Sequence, residues 1–382
     1  MRLKANWITE NGAQAILKMF EKAGYKSYFV GGCVRNTILK HPVTDVDIAT
    51  DATPIITMQL AEQTGLKALP TGIDHGTVTL VAQHQPYEVT TFRKDIKTDG
   101  RHAQVQFSKD IVADAKRRDF TMNALYADAD GQVIDPLSGL DDLIKGHIRF
   151  IDEAGARISE DSLRILRFFR LSAFYAVTDH GFDPDALSAI GKNLDCLSSL
   201  SKDRIGAEMR KLLAAPNPVP SIAKMKDIGV LAKVLPGCDN TSLARVIHLE
   251  SIYKLQADPM RRLASIGGDD APAALRLSNA EAKTLSILRK HMGTNLKAGE
   301  LGYHFGKNLS QSILLLRAAE FAVALDHEDL LAANFGSTAI CPVKGKDLLN
   351  SYSGEALGKK LLELEARWIA SEFKLSRYDL LN

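Results

Sequence analysis

Apolar residues recur at helical spacing or at alternate positions over about the first 150 residues of the chain. Segment 12–24 has helical periodicity, with Ile16, Leu17 and Phe20 on one face and Gly24 at its C-terminal end. Residues 53–65 carry a second helical pattern, and four short runs are typical of strands: YKSYFVGG, DVDIAT, GTVTLVAQ and PYEVTTF. This order predicts a mixed α/β head built on a small sheet.

After about residue 150 the strand signals fade, and amphipathic helical patterns dominate to the end of the chain. Residues 161–177, 203–215 and 357–375 are the clearest examples. The fold class predicted from the pattern is therefore α+β, with an α/β head followed by an all-helical remainder.

The composition narrows the class of protein. A hydrophobic fraction of 45% and a charged fraction of 25% are typical of a globular chain. The four cysteines form no CxxC pair, so we expect neither a zinc site nor a disulfide framework but a reducing, cytoplasmic setting. The N-terminal segment lacks the apolar core of a signal peptide, and no run reaches the ~18–20 apolar residues of a membrane helix. The net charge of +2 indicates no partner, because nucleic-acid binding depends on where the charge lies.

Three aspartate pairs are separated by a single residue. The pair in YADADGQV is typical of a hairpin turn, and the pair in GFDPDAL indicates a loop and a helix N-cap. Only Asp45 and Asp47 lie in a strand pattern, which would place both carboxylates on one face of the strand. They are either a solvated pair or two ligands for Mg²⁺, a cation that takes one or two carboxylates and completes its shell with water and phosphate.

Two further features bear on this choice. The strand at 28–30 runs into Gly31-Gly32 and a helix containing Arg35, and a glycine turn of this kind lets backbone N–H groups approach a phosphate. Glu88 lies in PYEVTTF, and if this strand pairs beside DVDIAT its carboxylate completes a three-carboxylate site for two metals. The alternatives are an ordinary tight turn and a solvent-facing strand glutamate.

Two arginine-rich segments follow. The pattern of RRDFTMNAL predicts a helix at 117–125, with Phe120, Met122 and Leu125 as apolar contacts. The pattern of EDSLRILRFFR predicts a second helix at 160–170 that places Asp161, Arg164, Arg167 and Arg170 on one face. Each set of charges is either a solvated surface or an anion-facing ridge.

The ordered motifs GGCVRN, TDVDIAT, HGTVT, YEVTTFR, RRDFTMNAL, DPLSGLDDL and EDSLRILRFFR resemble those of class II tRNA nucleotidyltransferases, within the polymerase-β-like superfamily. This family comprises the CCA-adding enzymes and bacterial poly(A) polymerases, and the resemblance is strong over residues 25–215. It implies a nucleotidyltransferase head at 1–145, a helical neck at 146–215, a helical body at 216–300 and a helical tail at 301–382.

The resemblance also implies the activity and its site. The expected reaction is template-independent addition of CCA to the 3′ end of tRNA from CTP and ATP. Two Mg²⁺ ions are expected, with Asp45 and Asp47 as ligands and Glu88 as the third carboxylate of the site. Asp161 and Arg164 are expected to select the base. The residues expected to bind the nucleotide are Gly31, Gly32, Arg35, Arg118, Asp119, Asn123, Asp161, Arg164, Arg167 and Arg170. The tRNA acceptor arm is expected on the helical part, with Arg204, Arg210 and Lys211 as candidate phosphate contacts, and no membrane is expected.

Residues 93–110, a mixed-charge segment with a turn at Asp99-Gly100, are expected to form a solvated hairpin loop. By resemblance this loop serves the switch from C to A addition. Two departures from the family pattern are Cys33 and Asn36, the latter in place of the usual Asp after Arg35. The asparagine replaces any ion pair with Arg35 by a hydrogen bond.

The alternatives within the fold are a poly(A) polymerase and an enzyme that adds only A or only CC. A non-catalytic tRNA-binding protein is the alternative of a different class. Poly(A) polymerases of this family tend to carry a strongly basic segment after the first motif, whereas residues 53–65 contain neither Arg nor Lys.

Overall fold

The computed structural model describes residues 1–99, 102–177 and 181–382. Its strands form a seven-stranded mixed sheet, in the order β3-β4-β5-β2-β1-β8-β9, and a separate antiparallel hairpin of β6 and β7. The strands are β1 (Ser27–Val30), β2 (Asp47–Thr50), β3 (Lys67–Gly72), β4 (Thr77–Ala82), β5 (Gln85–Thr91), β6 (Arg93–Asp99), β7 (His102–Phe107), β8 (Tyr126–Ala127) and β9 (Val133–Ile134). The four strands predicted from the sequence are confirmed as β1, β2, β4 and β5.

The helices associated with the sheet begin where the sequence carries helical periodicity or a cap. They are α1 (Asn6–Thr9), α2 (Asn11–Lys22), α3 (Gly32–Ile38), α4 (Pro54–Gln63), α5 (Ile111–Lys116) and α6 (Gly139–Lys145). The predicted helices at 12–24 and 53–65 are confirmed as α2 and α4, and Ile16, Leu17 and Phe20 of α2 are buried. The core beneath the sheet includes the fully buried side chains of Phe92 and Tyr126.

The helical remainder is confirmed along its described length. Its helices are α7 (Ala154–Glu160), α8 (Leu163–Tyr175), α9 (Pro184–Lys192), α10 (Lys202–Leu213), α11 (Val219–Asp227), α12 (Val230–Val234), α13 (Leu243–Ile252), α14 (Pro259–Ile266), α15 (Ala271–Ala274), α16 (Asn279–Met292), α17 (Ala298–Phe321), α18 (His327–Gly336), α19 (Gly354–Ala370) and α20 (Arg377–Leu381). Among the residues described, none of these helices combines the length and apolar character needed to cross a membrane.

The chain divides into two compact units. The first comprises Met1–Leu212 and Pro220–Val234, and the second comprises Leu213–Val219 and Leu235–Asn382. The finer division into head, neck, body and tail stays a prediction.

Three local predictions are wrong. Strand β2 begins at Asp47, so Asp45 precedes the strand, because the paired strand β1 ends opposite Asp47 and the chain then turns at Gly31. Residues 117–125 do not form a helix, since α5 ends at Lys116 and only a 3₁₀ turn follows at Thr121–Asn123. The Asp119 carboxylate accepts the N–H of Phe120 at 2.9 Å, a side-chain contact that competes with helical hydrogen bonding.

The third error concerns residues 160–170, where the predicted single helix is broken. Helix α7 ends at Glu160, and Asp161 is extended at φ −151° and ψ 105° before α8 begins at Leu163. The Asp161 carboxylate accepts the N–H of Leu163 at 3.1 Å, as aspartates do at helix starts. Arg164, Arg167 and Arg170 do share α8, as predicted.

The predictions for the other two aspartate pairs, a helix N-cap and a hairpin turn, are confirmed. Asp183 caps α9 by accepting the N–H of Ala186 at 2.8 Å, and the YADADGQV pair lies between the hairpin strands β8 and β9. Residues 93–99 and 102–107 form the paired strands β6 and β7, and Gly100 of the predicted turn lies outside the described residues.

Candidate active site

The turn between β1 and α3 is built on Gly31. Its φ of 74° and ψ of −119° lie where an L side chain is strained, and its N–H donates to the Leu125 carbonyl at 3.0 Å. Helix α3 follows directly at Gly32. The backbone of this turn therefore borders the cavity described below without a side chain covering it.

Arg35 projects from α3 and is held on several sides. Its Nη2 donates to the Tyr175 hydroxyl at 2.9 Å, and its guanidinium lies 4.4 Å from the centre of the Tyr175 ring. Asn36 Oδ1 accepts from Arg35 at 2.9 and 3.1 Å, and Asn123 Oδ1 accepts from Arg35 Nη1. Arg35 is thus held at Asn36 by hydrogen bonds to an amide and not by an ion pair.

Asp47 and Glu88 are neighbours across the sheet. Strands β2 and β5 run parallel with Asp47 and Glu88 as register partners, which confirms the strand pairing on which the Glu88 prediction depends. Asp45 is exposed just ahead of β2, and its Oδ2 accepts from the Thr44 hydroxyl at 3.0 Å. The three acidic side chains therefore come from two adjacent strand positions and one flanking position.

The electrostatics of this group suit a cation. Burial, together with the charges of Glu88 and Asp45, raises the pKa of Asp47 to about 6 despite the opposing charge of Arg118. Two to three hard oxygen donors that repel one another form the donor set that Mg²⁺ neutralises. No cluster of three or more potential ligands stands preassembled in the described chain. The carboxylates thus fit a metal that takes one or two protein ligands and completes its shell with water and phosphate.

A buried carboxylate orients the two arginines at 117 and 118. Asp114 on α5 is fully buried and accepts from Arg117 Nε at 2.8 Å, Arg118 Nη2 at 3.0 Å and the Tyr126 hydroxyl at 2.7 Å. Burial alone would raise the pKa of Asp114, but Arg118 and Arg117 outweigh it and lower the pKa to about 2. Arg118 is thereby fixed beside the Gly31 turn, where its Nη1 comes within 3.6 Å of the position that a Cβ on Gly31 would occupy.

Asp119 is the centre of a second buried network. Its Oδ2 accepts from Arg167 Nε at 2.6 Å, and its Oδ1 accepts from Asn123 Nδ2 at 2.9 Å. Burial raises the pKa of Asp119, but Arg167 and Asn123 reverse the effect and hold it well below its usual range. The 3₁₀ turn carrying Asn123 is thus tied to α8.

The residues predicted to read the base are held by other partners. Arg164 pairs with Glu160 and donates to the backbone carbonyls of Arg157 at 2.9 Å and Arg117 at 3.3 Å. Asp161 accepts from Arg204 Nη2 at 2.7 Å. Asp161 and Arg164 are therefore close along the chain but form ion pairs with different partners, Arg204 and Glu160.

One cavity of about 650 Å³ within the first unit unites most of the predicted site. Every predicted site residue lines it except Asp45 and Glu88. The full lining is Gly31, Gly32, Arg35, Asp47, His75, Thr77, Arg93, Arg117, Arg118, Asp119, Asn123, Glu160, Asp161, Leu163, Arg164, Arg167, Arg170, Leu171 and Arg204.

Charge dominates the wall of this cavity, in which arginines outnumber carboxylates by two to one. Asp119, Glu160 and Asp161 each pair with an arginine, and among the described side chains no ion pair to Asp47 is found. A surplus of guanidinium groups suits a polyphosphate, and an unpaired carboxylate suits the metal that accompanies one.

Comparisons with known proteins point the same way. Residues 27–149 match the family model described as the Poly A polymerase head domain, and residues 181–241 match the model of a probable RNA- and SrmB-binding site of polymerase A. The mitochondrial CCA tRNA nucleotidyltransferase 1 of Mus musculus is 30% identical over 388 residues, covering 97% of this chain and 89% of that protein. The CCA-adding enzyme of Lactiplantibacillus plantarum is 33% identical over 367 residues, covering 92% and 87%.

The chain belongs to the class II CCA-adding enzyme family. A solved member, the Bacillus stearothermophilus CCA-adding enzyme in complex with CTP, matches with a TM-score of 0.76 at 29% identity, over 94% of this chain and 93% of that one. The predicted family and the α+β fold class are thus confirmed. Membership of the CCA-adding enzyme family makes the chain a nucleotidyltransferase and implies use of a divalent metal.

Sequence reasoning missed several residues of this CCA-adding enzyme site. Asp114 and Tyr175 contact cavity arginines from outside the motifs that carry the resemblance, and the pairing of Glu160 with Arg164 was not predicted. The Arg204 side chain lies in the cavity wall on Asp161, a position that the sequence did not indicate. Its contact with tRNA phosphate stays a prediction. The available signal was the spacing of Arg204 and Glu208 on one face of the α10 pattern.

Proposed function

We propose that this chain adds or repairs the 3′-terminal CCA of tRNA, using CTP and ATP and releasing pyrophosphate. The observation that carries the proposal is the single cavity in which the Gly31 turn, Asp47 and the α8 arginines meet. Within a family of CCA-adding enzymes, that arrangement supports the assignment of a triphosphate subsite, a metal-binding carboxylate and a base-facing wall to neighbouring parts of the cavity.

The triphosphate subsite consists of the glycine turn and the arginines beside it. Gly31 leaves the turn without a side chain, and Gly32 offers a backbone N–H group. Arg35 and Arg118 offer guanidinium groups already oriented by Tyr175 and Asp114 respectively. Arginines held in this way lose little further freedom when they bind phosphate, which favours binding.

The sugar subsite is assigned to the network around Asp119. Asp119 and Asn123, with Arg118, border the cavity next to the triphosphate subsite. Because Arg167 and Asn123 fix the Asp119 carboxylate, this group acts chiefly by holding its neighbours in place. Arg167 and Arg170 extend the row of positive charge along α8.

Asp45 and Asp47 are the proposed Mg²⁺ ligands, and Glu88 completes the acidic group. When bound, two Mg²⁺ ions would activate the attacking hydroxyl and neutralise the leaving pyrophosphate. The 3′-hydroxyl oxygen of the tRNA forms a bond to the α-phosphorus, and the bond from that phosphorus to the β-phosphate oxygen breaks. The arginines hold the triphosphate in line for this displacement.

Base selection is assigned to Asp161 and Arg164. The carboxylate can accept from the exocyclic amine that C and A share, and a guanidinium can donate to acceptors on either base. Selection of C and A over U and G then needs no nucleic-acid template.

The helical part of the chain is proposed to hold the acceptor arm of the tRNA, mainly through phosphates and shape. Arg210 and Lys211 remain candidate contacts. All four cysteines lie within the described residues and none forms a disulfide, which is compatible with the reducing, cytoplasmic setting expected from the sequence.

A poly(A) polymerase is the second candidate, because the matched head-domain model covers that class as well. Against it, α4 and its flanks carry no Arg or Lys after the first motif. An enzyme that adds only A or only CC would have the same fold. A non-catalytic tRNA-binding protein would have no use for the acidic group of Asp45, Asp47 and Glu88.

The test is incorporation by the purified chain on tRNA lacking CCA, with each nucleoside triphosphate supplied separately and together. The proposal predicts two C additions followed by one A. Long A tracts made without CTP would instead identify a poly(A) polymerase. Asp45→Ala and Asp47→Ala should abolish incorporation while tRNA binding survives, and unchanged incorporation would refute the metal assignment.

A further inference from the structure

Arg204 reaches the cavity from α10, about forty residues beyond the motif that contains Asp161. Its Nη2 donates to Asp161 Oδ2 at 2.7 Å, and both side chains are partly shielded, with 20% and 23% of their surface exposed. An ion pair that is partly withdrawn from water inside a cavity is stronger than an exposed one.

Among the described residues, the Asp161 carboxylate has hydrogen-bond donors on two sides. Asp161 itself lies between α7 and α8 in an extended conformation. Oδ1 accepts the Leu163 N–H at 3.1 Å, and Oδ2 accepts from Arg204. Two donors, one from backbone and one from an arginine, therefore define the plane of the carboxylate.

Helix α10 is itself anchored one turn further on. Arg170 Nε on α8 lies 2.7 Å from Oε2 of Glu208, which is only 5% exposed, as an ion pair without the alignment of a hydrogen bond. Arg204 and Glu208 are four residues apart and share a face of α10. The register of α10 against α8 thus fixes where the Arg204 guanidinium lies.

We propose that Arg204 is a positioning residue for base selection, which it serves by locking the orientation of Asp161; the inference rests on the proposed function. A carboxylate has about four acceptor positions, so after two donors are bound it can still accept from an exocyclic amine. U and G present a carbonyl oxygen where C and A present that amine. A locked carboxylate repels this oxygen, whereas a carboxylate free to rotate can turn away and tolerate it.

The experiment compares the ratio of kcat/KM for CTP to that for UTP, on tRNA lacking CCA, among Arg204→Gln, Arg204→Lys and the starting protein. Lys202→Ala serves as the control, because Lys202 is exposed on the same helix and lies outside the cavity lining. Arg204→Gln should lower the CTP to UTP ratio by about tenfold, since an oriented polar contact is what discriminates here. Arg204→Lys, which keeps the charge, should restore part of the ratio, and the control should match the starting protein.

A merely structural role gives a different result. If Arg204→Gln lowers the thermal midpoint and slows all nucleotides equally, with the ratio unchanged, the inference is overturned. A double-mutant cycle adds a second criterion: Arg204→Gln should have no further effect on the ratio in an Asp161→Ala background. An additive effect there would also overturn it.

The same data separate this inference from the proposed function. If Asp161→Ala leaves the ratio unchanged, the base-reading assignment itself is wrong, and the role of Arg204 falls with it. If Asp161→Ala relaxes the ratio and Arg204→Gln does not, only the role of Arg204 is wrong.

Discussion

Asp47 on β2 and Glu88 on β5 are direct partners across two parallel strands. Side chains at paired positions of neighbouring strands project from the same face, so the two carboxylates lie side by side on one face of the sheet. Because the register of the sheet pairs these two positions, the two carboxylates repel each other. A bound cation would neutralise this repulsion.

Replacing Asp47 with Asn should stabilise the fold while abolishing incorporation. The pKa of Asp47 in the folded chain is raised from 3.8 to about 6, so the free energy of unfolding falls as the pH rises from about 4 to about 6. The variant lacks this loss and should be more stable at pH 7.5 in EDTA by about 1–2 kcal/mol. Denaturant unfolding at pH 4 and pH 7.5 measures it. An equal difference at both pH values would contradict the assignment of the shift to Asp47.

Replacing Gly31 with Ala should impair CTP binding as well as stability. A positive φ costs an L residue about 1–2 kcal/mol. Gly24→Ala is the matched control, since Gly24 also has a positive φ of 78° but lies at the end of α2, away from the cavity. Thermal unfolding should show a similar loss for both, and only Gly31→Ala should raise the KM for CTP. A raised KM in both variants would show that the effect comes from general destabilisation.

Substitutions at Tyr175 should weaken triphosphate binding in two steps. Tyr175→Phe removes the hydroxyl that bonds Arg35 but keeps the ring, and a lost hydrogen bond of about 1 kcal/mol predicts a KM about fivefold higher. Tyr175→Leu also removes the ring beneath the guanidinium and should raise the KM further. Tyr253→Phe, which loses a hydroxyl contact in the second unit, should leave the KM unchanged. Equal KM values for the Phe and Leu variants would argue against a role of the ring.

Asp114→Asn should destabilise the chain by about 3 kcal/mol at pH 7, because two partly buried arginines lose the fully buried counter-charge that they share. The lowered pKa of Asp114, about 2 against 3.8, contributes stability above pH 4 that is lost as the pH falls toward 2. The difference between variant and parent should therefore narrow over that interval in denaturant titrations. Asp185→Asn, at an exposed position, should show no such dependence, and a constant difference for Asp114→Asn would contradict the coupling to Arg117 and Arg118.

The strands and helices predicted correctly from the sequence are those that depend on the pattern of residues close together in the chain. Alternation located β2 and β5, and helical spacing placed Arg164, Arg167 and Arg170 on one face of α8. These features depend on residues a few positions apart, for which period and propensity are informative.

Other features depend on the tertiary fold. The break at Asp161 arises because its side chain bonds to Leu163 N–H and Arg204, a competition that periodicity does not reveal. Likewise the role of Asp114 emerges only once α5 is packed against Tyr126, which buries its carboxylate beside two arginines. A buried charge and its partners cannot be read from the spacing of charges along the chain.

The position of Arg204 late in the chain determines when the active-site cavity can be completed during protein synthesis. The sheet is complete once residue 134 has been made, but the wall holding Asp161 needs a helix that begins at Lys202. Pairing over such sequence separations has to wait for the chain between to be synthesised. A nascent or truncated chain ending before α10 would therefore hold the carboxylates for metal while lacking the residue that restrains Asp161. During synthesis, nucleotide choice would therefore be acquired later than the capacity to hold the metal.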